Sequence, residues 1–127
     1  MVKKLGIREN YVIRLVNPPD NYFELTAPFP EGVKVTKDTS VLKDMIHYFT
    51  NQISELRHDI EGLRNEIKPN GMIWVSWPKK ASKISRDITE DLIRNLALES
   101  GLVDIKVCAV DEVWSGLKLV IRVKDRK

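Results

Sequence analysis

A chain of 127 residues with one cysteine and two histidines excludes an internal disulfide, a cysteine-rich zinc site and a metal centre built from many soft ligands. Its 21 basic and 18 acidic residues leave a net charge of +3, which steers anions but does not demand nucleic acid. No apolar run approaches the roughly 20 residues of a membrane span, and Met1-Val2-Lys3-Lys4-Leu5-Gly6 lacks the apolar stretch of a signal peptide, so the expectation is one soluble cytoplasmic domain over residues 1–127.

Tyr11–Val16 reads as a strand, apolar except for Arg14, and Asn17-Pro18-Pro19-Asp20 stops it because proline lacks the N–H that a sheet interior needs. Asp20–Thr26 can form one or two helical turns, Pro28–Gly32 breaks again, and Val33–Thr36 is a second strand. Met45–Phe49 is a third. Ile53, Leu56, Ile60, Leu63 and Ile67 then recur at spacings of three and four, one stripe of a helix that Asn51 caps and Lys68-Pro69-Asn70-Gly71 ends. The stripe covers too few turns for an autonomous coiled coil, so it predicts a helix lying on a sheet.

Met72–Trp77 is a fourth strand, apolar almost throughout, as expected of a strand buried on both faces in a parallel sheet. Pro78–Lys83 is loop. Asp87-Ile88-Thr89-Glu90 has the spacing of a capping box, opening a helix that presents Ile88, Leu92, Ile93, Leu96 and Ala97 and ends at Ser100-Gly101. Val103–Val110 is strand five, Val113-Trp114-Ser115-Gly116 its turn, and Leu117–Val123 strand six. Alternating strands and helices imply a small α/β domain of the Rossmann-like, three-layer kind, with a mostly parallel sheet of about six strands. A closing hairpin makes the last strand antiparallel.

At "GMIWVSWPKKASK", at "DITEDLIRNLALESGLVDIKVCAVDEVWSGLKLVIRV" and at the opening "LGI", the chain resembles a family of small bacterial proteins classed as a domain of unknown function. That resemblance spans nearly the whole length but brings no activity with it. Residues 51–124 are also similar to the second half of the class I S-adenosylmethionine-dependent methyltransferase fold, in which a helix, a glycine-containing turn, an apolar strand, another helix and an antiparallel hairpin follow one another. The likeness implies the sheet order 2-1-3-4-6-5, with strand six antiparallel to its neighbours.

The first turn decides between two functions. An adenosylmethionine or dinucleotide site needs close backbone approach and free amide donors after strand one, usually supplied by glycines. Here the turn is Asn17-Pro18-Pro19, and the first glycine after the strand is Gly32. The stretch is similar to the Asn-Pro-Pro-Tyr turn with which amino-group methyltransferases hold a target nitrogen, but those enzymes bind their cofactor at a glycine turn elsewhere. Asp38, about 20 residues beyond strand one, is either a ribose-binding acid or a turn residue.

The other suggestive stretch is the loop beyond strand four, where Trp77, Lys79, Lys80 and Ser82 could hold an anion, or could be a solvated loop above a packed indole. Asp111, Glu112 and Trp114 lie at the strand five to six turn, at the same sheet end. The expectation is therefore a binding module for an anionic ligand or a protein partner near these residues, without catalytic residues, cofactor or metal. The alternative is a reduced or degenerate methyltransferase-like enzyme using Asn17 and Asp38. A homodimer through a sheet edge or the helix face at residues 51–67 is a further possibility. Nucleic acid and membrane are not expected partners.

Overall fold

The computed structural model describes residues 5–26, 29–79 and 87–126. In chain order the elements are β1 (Val12–Val16), α1 (Tyr22–Thr26), β2 (Lys34–Val35), β3 (Lys43–Phe49), α2 (Ile53–Glu66), β4 (Ile67–Pro78), α3 (Glu90–Glu99), β5 (Leu102–Ala109) and β6 (Trp114–Ile121), with a 3-10 turn at Val123–Asp125. They form one six-stranded sheet in the order β2-β1-β3-β4-β6-β5. Strands β1 to β4 are parallel, and β6 runs antiparallel to both β4 and β5. This is the mostly parallel three-layer architecture that the alternating pattern predicts, with the strand order implied by the methyltransferase resemblance.

Each face of the sheet has its own core. On one face Ile46, Tyr48, Ile73, Val75, Leu117 and Leu119 pack under Leu56, Ile60 and Leu63 of α2 and Ile93, Leu96 and Ala97 of α3. On the other, Ile13, Leu15, Met45, Phe49, Met72 and Trp74 are covered by Leu5, Ile7 and Tyr22. Strand β4 is apolar almost throughout because both its faces are covered; full burial of each such side chain is worth about 1.5–3 kcal/mol. Among the described residues no helix is long and apolar enough to cross a membrane.

Three local features differ from the sequence pattern, each for a visible reason. The Lys68–Gly71 stretch is not a loop after the helix but an irregularity inside β4. Lys43 pairs with Ile67 and Met45 with Met72, so residues 68–71 have only Asp44 opposite them. Gly71 is needed there, since a Cβ would sit 3.0 Å from the carbonyl oxygens of Lys43 and Lys68. The hairpin turn comes earlier than the Trp-Ser-Gly motif suggests. Asp111 Oδ1 accepts from the amides of Val113 and Trp114 at 2.8 and 2.7 Å, which tightens the turn and starts β6 at Trp114. Gly116 is a strand residue that makes room for Trp74, whose Cε3 would lie 3.1 Å from an added Cβ.

The helix caps are exchanged as well. Thr89 rather than Asp87 caps α3, accepting from Leu92 N at 3.3 Å. Asp87 instead accepts from Ile53 N at 2.8 Å, satisfying an orphan donor in the first turn of α2, whose N-cap position is held by Gln52 rather than Asn51. The start of α2 and the approach to α3 are thereby tied together at the carboxyl edge of the sheet.

Candidate functional site

Strand order fixes where a ligand belongs. The chain leaves β1 toward β2 on one side and resumes with β3 on the other side of β1. In open α/β sheets the crevice beyond the carboxyl ends of the two strands at such a reversal is the usual ligand position. In this protein it lies between the turn after β1 and the end of β3.

That crevice holds a pocket of about 360 Å³ lined by Asn17, Phe49, Thr50, Asn51, Glu55 and Trp114. Asn17 has φ +53°, in the left-handed region that few residues other than glycine enter at low cost. An asparagine tolerates it, so the turn adopts a conformation for which glycine is the usual residue although it contains no glycine. Asn17 Nδ2 spans the crevice, donating to the Phe49 carbonyl at 3.4 Å and to Glu55 Oε1 at 3.2 Å. Thr50 bends the chain from β3 into α2: its Oγ1 accepts from Gln52 N at 3.1 Å and donates to Gln52 O at 3.2 Å. The bend places Glu55, in the first turn of α2, at the pocket.

The far wall is aromatic. The rings of Phe49 and Trp114 meet edge to face with centroids 5.1 Å apart. Behind Phe49, the His47 ring stacks on it at 4.2 Å. The imidazole lies in a buried relay in which Tyr22 Oη is 2.9 Å from Nδ1 and Ser76 Oγ is 2.8 Å from Nε2. His47 is completely buried, and loss of hydration lowers its pKa to about 3, so it is neutral at physiological pH. Burial likewise raises the Tyr22 phenol well above its ordinary value. The relay is a set of satisfied neutral groups that holds the Phe49 wall in place.

The residues singled out in the sequence are dispersed. Asn17 and Trp114, drawn from different hypotheses, line the same pocket. Trp77 is buried in the helix-side core. Lys79 extends the ladder beyond β4, its amide donating to Val113 O at 2.7 Å. Lys80 and Ser82 lie outside the described residues. Asp111 is occupied by its turn and Glu112 is exposed beside it.

Asp38 is exposed. Its Oδ1 accepts from the Ser40 hydroxyl at 2.6 Å and amide at 3.0 Å, and these bonds hold its carboxyl below the usual range. Strand β2 pairs only with Val12 and Ile13, so it ends below the carboxyl edge of β1. Asp38 does not line the pocket with Asn17. Phe49, Thr50, Asn51 and Glu55, which no sequence motif singles out, line the pocket with Asn17 and Trp114. The signal for them was the expected strand order, whose reversal makes the end of strand three the partner of the first turn. Among the described residues no group of three His, Cys, Asp or Glu side chains could hold a metal ion.

No family model matches the chain, and no curated protein does. Solved structures do. A S-adenosylmethionine-dependent methyltransferase from Aquifex aeolicus superposes with a TM-score of 0.64 at 14% identity, covering 94% of this chain and 87% of its own. Magnesium protoporphyrin IX methyltransferase from Synechocystis PCC 6803, with bound S-adenosylmethionine, gives 0.61 at 11% identity over 94% and 74% of the two chains. Precorrin-6y C5,15-methyltransferase from Geobacter metallireducens GS-15 gives 0.62 at 10% identity over 94% and 84%. The fold is the one these methyltransferases share. That finding overturns the expectation of a non-catalytic binding module drawn from the glycine-poor first turn, and it favours the methyltransferase-like alternative.

Proposed function

We propose that this protein is a reduced methyltransferase-like enzyme that binds S-adenosylmethionine in the crevice between β1 and β3. The observation that carries the reading is the pocket itself: in a fold shared with adenosylmethionine-dependent enzymes, a cavity of about 360 Å³ lies at the strand-order reversal, in the lower part of the usual size range for small-ligand sites.

The chemistry of the lining fits such a donor. Glu55 attracts positive charge and the Phe49 and Trp114 rings make the adjoining wall apolar, which suits a sulfonium carried on a hydrocarbon and adenosyl body. Asn17 uses its Nδ2 on Phe49 and Glu55 and so turns its amide oxygen to the role of acceptor for a polar end of the ligand. The left-handed backbone at Asn17 gives the turn its bend without glycine. When bound, the donor would supply an activated methyl group; the protein's part is to orient it and to exclude water with the Phe49–Trp114 wall. Asn17 carries over from the alternative reading of the sequence, whereas Asp38 is replaced in this assignment by Glu55.

Differential scanning fluorimetry tests the proposal. S-adenosylmethionine and S-adenosylhomocysteine should raise the melting temperature in a saturable way, while ATP and NAD at equal concentration should not. No shift with either adenosyl compound, or an equal shift with ATP, contradicts it.

A further inference from the structure

The opposite end of the molecule carries an arginine whose chemistry is unfinished. Arg64, in the last turn of α2, has no ion pair or hydrogen bond among the described residues, and its Nε is shielded from solvent with no partner. Because Nε is closed to solvent, a ligand can meet this side chain only through the outer nitrogens, Nη1 and Nη2, which are not shielded in this way. The guanidinium is also held in place. It lies over Gly101, where an added Cβ would be 3.1 Å from Nε and 3.3 Å from Nη2. Gly101, at φ +81° just beyond α3, therefore both ends the helix and leaves the space that Arg64 occupies.

Two cavities open beside this guanidinium, and Asn65 lines both. The smaller, about 280 Å³, is also lined by Glu61, Glu99 and Ser100, so it repels anions. The larger, about 370 Å³, has walls of Leu42, Ile67, Pro69 and Ile121. It has one carboxylate against the two of the smaller cavity: Asp125, whose charge is offset by an ion pair with Arg122 at 3.2 Å, without a hydrogen bond from Nε. Leu42 is 47% exposed at its rim. On that side Arg64 and Asn65 line a largely apolar recess.

We propose that the cavity formed by Arg64, Asn65, Leu42, Ile67, Pro69 and Ile121 is a second binding site, for a small organic carboxylate with an apolar body. A planar guanidinium matches a carboxylate bidentately, and the apolar walls favour a ligand with a hydrocarbon portion over a bare inorganic anion. The site sits at the amino end of β4, away from the crevice between β1 and β3, and does not depend on what that crevice binds.

The test titrates ¹⁵N-labelled full-length protein with hexanoate, with hexanamide as the uncharged counterpart and with inorganic phosphate. Hexanoate should shift the Arg64 Nε and the Asn65 and Ile67 amide resonances in a saturable way. Arg64→Ala should weaken it by about tenfold, the effect of losing a charge-assisted hydrogen bond. Leu42→Asp, which puts a negative charge on an exposed rim position without touching the core, should weaken it similarly and serves if Arg64→Ala fails to fold. Equal binding of hexanamide, phosphate binding as tight as hexanoate, no shift with hexanoate, or undiminished binding to a folded variant would each overturn the assignment.

Discussion

On the face of the sheet covered by α2 and α3, Arg14 and Lys43 form ion pairs with Glu66; on the face covered by Tyr22 of α1, Tyr22, His47 and Ser76 meet as neutral hydrogen-bonding groups. The first cluster is an ion network. Arg14 Nη1 lies 2.7 and 2.8 Å from the two Glu66 oxygens, and Lys43 Nζ, with its side chain fully buried, is 3.1 Å from Oε2 and also donates to the Asp38 carbonyl. It fastens the end of α2 to β1 and β3. The second cluster lies beneath the pocket and brings no fixed charge next to Phe49. Glu55 is then the ionisable group that lines the pocket itself. Charge anchors the framework, and neutral bonds support the site.

The contrast predicts unequal costs. Glu66→Ala leaves Lys43 charged, buried and without its carboxylate, which should cost about 3–5 kcal/mol in urea denaturation. If it costs less than the changes below, the network is not the anchor. His47→Phe keeps the ring but strands the Tyr22 and Ser76 hydroxyls, and about 1–3 kcal/mol should be lost.

The same variant sharpens the comparison through pH. In the native state His47 stays neutral down to about pH 3, whereas in the unfolded chain it takes up a proton below about 6.5. Its contribution is thus intact above pH 6.5 and is lost at about 1.4 kcal/mol per pH unit as pH falls toward 3. The wild-type minus His47→Phe difference should therefore fall by about 2 kcal/mol between pH 7 and pH 5, almost all of it below pH 6.5. A difference independent of pH would mean that the histidine is not buried neutral.

Smaller effects probe the edges of each region. Asp87→Ala should cost about 1 kcal/mol and speed hydrogen exchange at the Ile53 amide, since its carboxylate caps α2 from outside the helix. At Asn17, alanine should be less stable than glycine by about 1 kcal/mol in thermal melts, because only the backbone conformation separates the two variants. Equal stability would argue that the left-handed turn is not maintained.

Much of the fold is written in the pattern of the chain. The stripe from Ile53 to Leu63 and the apolar run Met72–Trp77 announce α2 and β4 because a helix period and a doubly buried strand leave unmistakable spacing. The caps are less legible. Asp87 precedes α3 in sequence but serves α2 in space, and no local pattern reveals a bond to Ile53. The pocket is half legible. Asn17 and Trp114 attract notice as unusual residues at strand ends, but Glu55 reads as one more helix carboxylate until the Thr50 bend places it. The first turn is the least legible part: it contains no glycine, yet its asparagine adopts the left-handed backbone for which glycine is the usual signal.

Trp114 offers the most direct test of the adenosyl site, because Trp74 and Trp77 are buried in the two cores while Trp114 borders the pocket. Titrating the protein with S-adenosylhomocysteine should quench tryptophan emission in a saturable way. In Trp114→Phe that quenching should disappear while the ligand still raises the melting temperature. Quenching that persists in Trp114→Phe, or no saturable response in the unaltered protein, would contradict an adenosyl site between β1 and β3.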